Sequence, residues 1–244
     1  MMKRFVFALA CVAGAHVAGA ATLTADELIA KNLAARGGAE KLAAIKTLKM
    51  SGKMLIGDFE LAVTRMLSRE GGYRFDGTLQ GLTLVSAYDG AAGWRIQPFE
   101  GRKDAERVSD DEARSFADEG LMDGVLLAGR TDGSKIESLG TEDVDGTAAH
   151  KLRVTQKDGD EFTYYLDPDS FLEIKVVEKR KVRGAEQEFE SELGDYEMVE
   201  GVYFPLSIES APRGATQRQK FNYDTIEANV PLESALFKMP PSKS

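Results

Sequence analysis

Two histidines, His16 and His150, and one cysteine, Cys11, are all the imidazole and thiol chemistry that the 244-residue chain carries. His16 and Cys11 fall in an amino-terminal stretch that reads as an export signal, which leaves His150 as the only imidazole of the mature body. It stands in phase with Leu152 and Val154, where a packed core or rim histidine is commoner than a catalytic base. There is no His-x-x-x-His pair for zinc, no Gly-x-Ser-x-Gly elbow and no Gly-x-x-x-x-Gly-Lys phosphate loop. Glu188, Glu190 and Glu192 share one face of a strand pattern, where like carboxylates repel unless cations intervene, so they read as a solvated face and not as a metal site. Asp-Gly pairs begin at Asp76, Asp89, Asp123, Asp132, Asp145 and Asp158, but none lies in a twelve-residue loop with calcium spacing, and they read as turns. Two acids placed across a cleft could still serve a hydrolase, and sequence neither places nor removes such a pair. No catalytic residue, metal or cofactor is therefore expected.

Composition narrows the classes further. The formal charge is -9, from 31 basic and 40 acidic residues; without Lys3 and Arg4 the balance is 29 minus 40, or -11. A body this acidic is a poor binder of nucleic acid or of an anionic membrane surface. Lys3-Arg4, the apolar run from Phe5 to Gly14 and the small residues Val17-Ala18-Gly19-Ala20 predict a signal peptide over residues 1–20, cleaved before Ala21. Ala8-Leu9-Ala10-Cys11 faintly resembles a lipoprotein signal, but the hydrophobic run before it is very short, and Cys11 is expected to leave with the leader. The remaining chain has no thiol, so it must fold on its core alone. Residues 21–244 are expected to form one domain, soluble in the periplasm and monomeric.

The elements that must position any site follow from periodicity. Thr24 and Glu27 predict a capping box at the start of a helix with Leu28, Ile29 and Leu33 on its apolar face; Gly37-Gly38 ends it and a short second helix runs to Ile45. From Thr47 the period becomes two, and strands with short glycine turns follow up to Pro98, with Gly52 expected to mark a bulge or a bend and Asp76-Gly77 a turn. Residues 99–133 interrupt them: a charged loop over Arg102–Arg107, a second capping box at Ser109 and Glu112, and a broken helical cover carrying Phe116, Leu121, Val125 and Leu126. Thr147 to Arg180 is a three-stranded meander, turned at Asp158-Gly159 and Pro168-Asp169, with Leu152, Val154, Phe162, Tyr164, Leu166, Leu172, Ile174 and Val176 on its buried face. Strands over Glu186–Tyr196, around Phe204 to Ile208 and over Gln217–Ile226 complete the pattern, Pro205 suggesting an edge or a strand start. A short helix after Pro231 and a loose tail from Lys238 close the chain. A single antiparallel sheet this long must curl. If it curls fully around the helices it encloses an ordinary core; if only partly, its concave face becomes an apolar pocket beneath a helical lid. The hydrophobic-ligand candidates are then Phe59, Leu61, Phe75, Leu84, Trp94, Phe162, Tyr164, Ile174, Phe189, Phe204 and Phe221.

Several stretches carry a resemblance. They include Ala25-Asp26-Glu27-Leu28-Ile29, Gly37-Gly38-Ala39-Glu40-Lys41-Leu42, Tyr88-Asp89-Gly90, Gly93-Trp94, Asp145-Gly146, Lys151-Leu152, Tyr164-Tyr165-Leu166-Asp167-Pro168, Asp195-Tyr196 and Gly201-Val202. Across essentially the whole mature chain the sequence resembles the outer-membrane lipoprotein-sorting and lipoprotein-carrier superfamily, in a broad periplasmic branch. The resemblance implies a mainly β fold, an incomplete and strongly curved antiparallel barrel covered by short helices. It implies a carrier of lipid, lipoprotein acyl chains or another hydrophobic ligand across the periplasm; such a carrier needs no catalytic residues, so no enzyme is expected, and the expected partner is a hydrophobic ligand or a lipidated protein, with an envelope membrane protein as a further candidate. A non-enzymatic envelope module for assembly or protein interaction is the alternative.

Overall fold

The computed structural model describes residues 22–182 and 184–241. The expected signal peptide and Cys11 lie outside them.

Thr24 caps the first helix as its sequence requires. Its hydroxyl accepts the Glu27 amide at 3.3 Å, and the Glu27 carboxylate accepts the Thr24 amide at 2.8 Å. This helix, α1 (Ala25–Ala35), buries Leu28, Ile29 and Asn32; α2 (Ala39–Ala44) follows after Gly37-Gly38 and buries Leu42. The chain then alternates through β1 (Thr47–Ile56), β2 (Phe59–Ser68), β3 (Gly72–Leu79), β4 (Leu82–Asp89), β5 (Gly93–Gln97) and β6 (Arg102–Arg107). Two helices, α3 (Asp110–Glu119) and α4 (Gly124–Asp132), interrupt it. The second half is β7 (Lys135–Val144), β8 (Thr147–Thr155), β9 (Glu161–Leu166), β10 (Glu173–Val182), β11 (Ala185–Val199), β12 (Val202–Pro212) and β13 (Gln219–Ala228).

Among the described residues these thirteen strands make one antiparallel sheet in the order β6-β5-β4-β3-β2-β1-β13-β12-β11-β10-β9-β8-β7. Two meanders are thus joined where the first strand meets the last, Met50 opposite Ile226 and Met54 opposite Phe221. β6 and β7 stay unpaired with each other, so the sheet is open and is not a closed barrel. The α3–α4 segment carries the chain between these two edges, α3 against β3–β5 and α4 against β7–β9. Register shifts at Ser51/Gly52, Arg95/Gln97, Ser138/Thr141 and Glu173/Lys175 insert bulges that increase local twist. Gly52 is required at its bulge: a Cβ there would stand 2.1 Å from the Asn222 carbonyl oxygen. One apolar cluster fills much of the concave side, from Leu28, Ile29, Leu48 and Met50 to Leu126, Leu152, Val154 and Leu166.

Several expectations need correction. Arg102–Arg107 is an edge strand, held by Arg95–Glu106 and Arg102–Glu106 ion pairs at 2.9 and 2.8 Å; alternating charge on an edge guards it against pairing with other chains. Lys135–Val144 is a strand that periodicity did not reveal, because the Ser138/Thr141 bulge breaks its alternation. Asp76-Gly77 is not a turn: Gly77 lies inside β3, where an added Cβ would meet Leu84 at 3.2 Å and Leu61 at 3.4 Å, and the chain reverses at Gln80-Gly81 instead. Asp123-Gly124 starts α4 and Asp132-Gly133 ends it. The second capping box does not form, since the Ser109 hydroxyl turns to the carboxylates of Asp111 and Glu112. Of the two expectations for Pro205 the edge holds and the strand start does not: it sits within β12 where β13 pairs only with Ser207–Ser210, and the Tyr203 amide donates to the Arg36 carbonyl. The helix after Pro231 is a single 3-10 turn, Ser234–Leu236, and the tail beyond it is anchored, with Phe237 buried and Met239 packed near Trp94.

Candidate functional site

The concave face is lined by residues in phase along each strand: Leu48 and Met50 on β1, Leu67 on β2, Phe162 and Tyr164 on β9, Val176 on β10, Leu193 on β11, Phe204 and Ile208 on β12. Met122 and Val125, from the α3–α4 junction, close over them. These walls surround a cavity of about 250 Å³. A second chamber of about 280 Å³ adjoins it, lined by Phe75, Phe116, Phe221 and Tyr223, and the two share Arg65, Glu119, Ser191 and Ile208 in their walls.

Arginines hold the junction above the cavity. Arg36 of α1 donates to the carbonyls of Asp123 and Met122 at 2.7 and 3.3 Å. Arg69 grips both carboxylate oxygens of Asp123 at 2.9 and 3.0 Å while donating to the carbonyls of Leu42 and Ile45 at 2.7 Å. Arg65 of β2 donates to the Glu119 carbonyl at 2.8 Å and pairs with its carboxylate. Planar guanidinium forks suit this work, since each can meet several acceptors at once.

A further ionic group reaches across the cavity. Arg180 of β10 lies 3.1 Å from Glu178 on its own strand and 3.4 Å from Asp118 of α3, and its guanidinium covers the Phe162 ring at 5.0 Å. Gln156 donates to Asp118 at 3.0 Å. Burial pushes the Glu178 carboxyl up to about 7, with Glu119 and Asp118 adding to the rise and Arg180 and Arg65 opposing it. Burial likewise raises Asp118 to about 6, against the Gln156 hydrogen bond and Arg180, with Asp158 and Asp160 of the β8–β9 turn adding to the rise. Arg36 and Glu173 face each other at 4.0 Å on the cavity wall, and the Tyr196 hydroxyl donates to the Glu173 carbonyl at 2.7 Å. The Tyr164 phenol is also pushed up by burial.

The predicted ligand residues divide. Phe162, Tyr164 and Phe204 line the main cavity, and Phe75 and Phe221 the second chamber, their rings edge to face at 6.0 Å. Leu61 and Leu84 belong to the concave packing around Gly77 and not to either lining. Phe59 is 63% exposed beside the β1–β2 turn. Ile174 falls in the bulge between Glu173 and Lys175, which throws it out of phase with Val176; it and Phe189 are half-buried outside both chambers. Trp94 lies in a separate cluster with Val85 and Ala87, and its indole donates to the Phe237 carbonyl at 2.7 Å. The polar cavity residues were missed, although a signal existed. Arg65 is in phase with Leu61, Val63 and Leu67, and Glu178 and Arg180 are in phase with Val176, so charge at positions expected to be apolar marked them. His150 is a rim residue, half-buried and stacked on Phe171 at 5.6 Å. Glu188, Glu190 and Glu192 are not merely solvated. Arg213 pairs with Glu188, Lys175 lies 3.2 Å from Glu190, and Arg218 binds Glu190 and Glu192 at 2.9 and 3.1 Å.

No family model and no curated protein matches the chain. Its fold is shared with solved structures. A domain assigned as an outer membrane lipoprotein-sorting protein from Vibrio parahaemolyticus superposes with a TM-score of 0.54 at 13% identity, covering 86% of this chain and 97% of that one. A LolA superfamily protein from Nitrosomonas europaea gives 0.57 at 12% identity, over 88% and 98% of the two chains. A DUF1329 family protein from Desulfovibrio piger gives 0.53 at 12% identity, over 88% and 97%. At these identities the likeness is one of fold: an open, curved antiparallel sheet with helices on its concave side.

Proposed function

We propose that the protein is a periplasmic binding or carrier protein for a lipid, for the acyl chains of a lipidated protein or for another hydrophobic ligand, and that it acts by binding and not by catalysis. The observation that carries this reading is the cavity of about 250 Å³ left between an apolar concave sheet and the α3–α4 junction. Each methylene buried there contributes about 0.8 kcal/mol. The fold shared with the lipoprotein-sorting domain and the LolA superfamily protein supports the same class of ligand. Among the described residues no helix is long and apolar enough to cross a membrane. We further propose release from the leader before Ala21 as a single-domain protein.

Recovering the protein from a periplasmic fraction, extracting it with organic solvent and analysing the extract by mass spectrometry is expected to show a co-purified lipid. A clean extract, together with no uptake of a fluorescent acyl probe, would overturn the reading. Intact mass tests the leader: an amino terminus at Ala21 is expected, and an acylated Cys11 would overturn that part.

A further inference from the structure

We propose that the main cavity selects acyl ligands with an uncharged ester or amide head over free fatty carboxylates, Arg180 and Arg65 donating to the ligand's carbonyl oxygen. This rests on the reading of the cavity as a ligand site and adds which head group it takes.

Three observations converge on that head. The Nε atoms of Arg65 and Arg180 are both buried without a hydrogen-bond partner, and both side chains line the same cavity. The Arg180 side chain is only 5% exposed. A buried donor without an acceptor is costly, so an oxygen acceptor arriving with the ligand relieves the site. The Arg180 guanidinium is held over the Phe162 ring at 5.0 Å, on the cavity side where the ligand's head would arrive.

Charge then decides which acceptor. The carboxyls of Asp118 and Glu119 on α3 and Glu178 on β10 face two guanidiniums, Arg65 on β2 and Arg180 on β10. Arg36 and Glu173 offset one another, and Asp158 of the β8–β9 turn is paired with Arg114 at 3.1 Å while Asp160 beside it receives the Lys181 amide. With every group ionised the three carboxylates outnumber the two guanidiniums by one, and Asp160 at the turn adds a further negative charge. The upward shifts of Glu178 and Asp118 agree that the surroundings already disfavour anions. A fatty carboxylate would add another anion in a desolvated space, whereas an ester or amide carbonyl presents lone pairs without charge. The surrounding apolar wall takes the hydrocarbon in either case, so the head alone sets the preference.

Calorimetric titration of the purified protein with monopalmitoylglycerol and with palmitate, each below its aggregation concentration at pH 8, tests this. The glyceride is expected to bind about tenfold more tightly or better, the ratio that one disfavoured charge contact produces. Glu178→Gln removes one negative charge and is expected to shift the ratio toward palmitate by about tenfold. Arg180→Met is expected to weaken the glyceride by roughly fivefold to tenfold, as one lost hydrogen bond does. In the unmodified protein palmitate should strengthen as pH falls from 8 to 6 while the glyceride stays level, a readout that needs no variant to fold. Equal binding of the two ligands at pH 8, or a ratio unmoved by Glu178→Gln, overturns the head-group preference while leaving the cavity reading intact. If neither ligand binds, both fall together.

Discussion

The two faces of the sheet solve the same problem differently. On the convex side Val85, Ala87 and Trp94 form a small apolar cluster that the chain's own end seals. Phe237 lies over Gly72, where a Cβ would come within 2.7 Å of its ring, and the Leu236 carbonyl accepts from Arg74 at 2.9 Å. On the concave side the helices cover a far larger apolar surface but leave the middle unfilled. A face filled by its own residues is a core; a face covered yet not filled can take a guest. The polar groups follow the same division. Convex charges form strand-to-strand pairs near water, such as Lys151–Glu142 and Arg153–Glu137 at 2.6 and 3.0 Å, whereas concave charges hold a lid over hydrocarbon.

Removing the convex seal should have the largest effect on stability. Phe237→Ala is expected to cost about 3 kcal/mol in denaturant unfolding, because it opens a cavity beneath a buried ring. Trp94 emission should shift to the red, and acyl-probe uptake by the folded fraction should be unchanged. Adding bulk separates the faces more sharply. Ala87, fully buried on the convex side, should lose about 2 kcal/mol on replacement by Leu through overpacking. Val176→Leu, beside the open cavity, should cost less than about 1 kcal/mol and reduce probe uptake. Equal stability losses at the two positions would mean that the concave face is as well filled as the convex.

The ionic lid gives a smaller, pH-dependent contrast. Glu178 and Asp118 have raised pKa values in the folded state, so the fold binds their protons more tightly than the unfolded chain does. The sign follows directly. Both are protonated in either state below about pH 4, and the penalty of ionising them in the fold grows as pH rises through about 6 and 7. Glu178→Gln should therefore stabilise the protein at pH 8 by on the order of 1 kcal/mol and have little effect at pH 4. Urea melts at the two pH values check this, and a variant less stable than the parent at pH 8 would contradict it. The smallest effect is expected at His150. Its stacking on Phe171 is worth about 1 kcal/mol or less, so His150→Ala should leave probe uptake unchanged.

What was legible in the sequence depended on whether local pattern and tertiary need agreed. Thr24 and Glu27, Asp158-Gly159 and the alternation of Phe162 with Tyr164 are local signals, and each has its expected structural outcome. Ile174 failed because a bulge is settled between strands and leaves no mark on one strand's alternation. β7 failed for the same reason, and β6 because an edge strand is chosen for charge and not for burial. Trp94 illustrates a different loss: periodicity says that a residue is buried, but not on which side of a sheet it lies. The cavity itself was open to two readings, since a filled core and a lined pocket have the same apolar alternation. The charged residues at in-phase positions, Arg65, Glu178 and Arg180, carried a signal that a search for apolar alternation passes over.

The pairing of β1 with β13 bears on how the molecule comes together in time. Leu48 meets Ala228 and Ile56 meets Gln219, contacts that span most of the chain. Closing so long a loop makes this an entropically expensive and slow step, whereas the hairpins on either side need only near neighbours. Each meander can therefore gather early as a half-sheet, with β1 holding a bare edge until the segment beyond Gln219 becomes available. In a chain that emerges amino terminus first, that edge is the place where another molecule can intrude before the fold is complete.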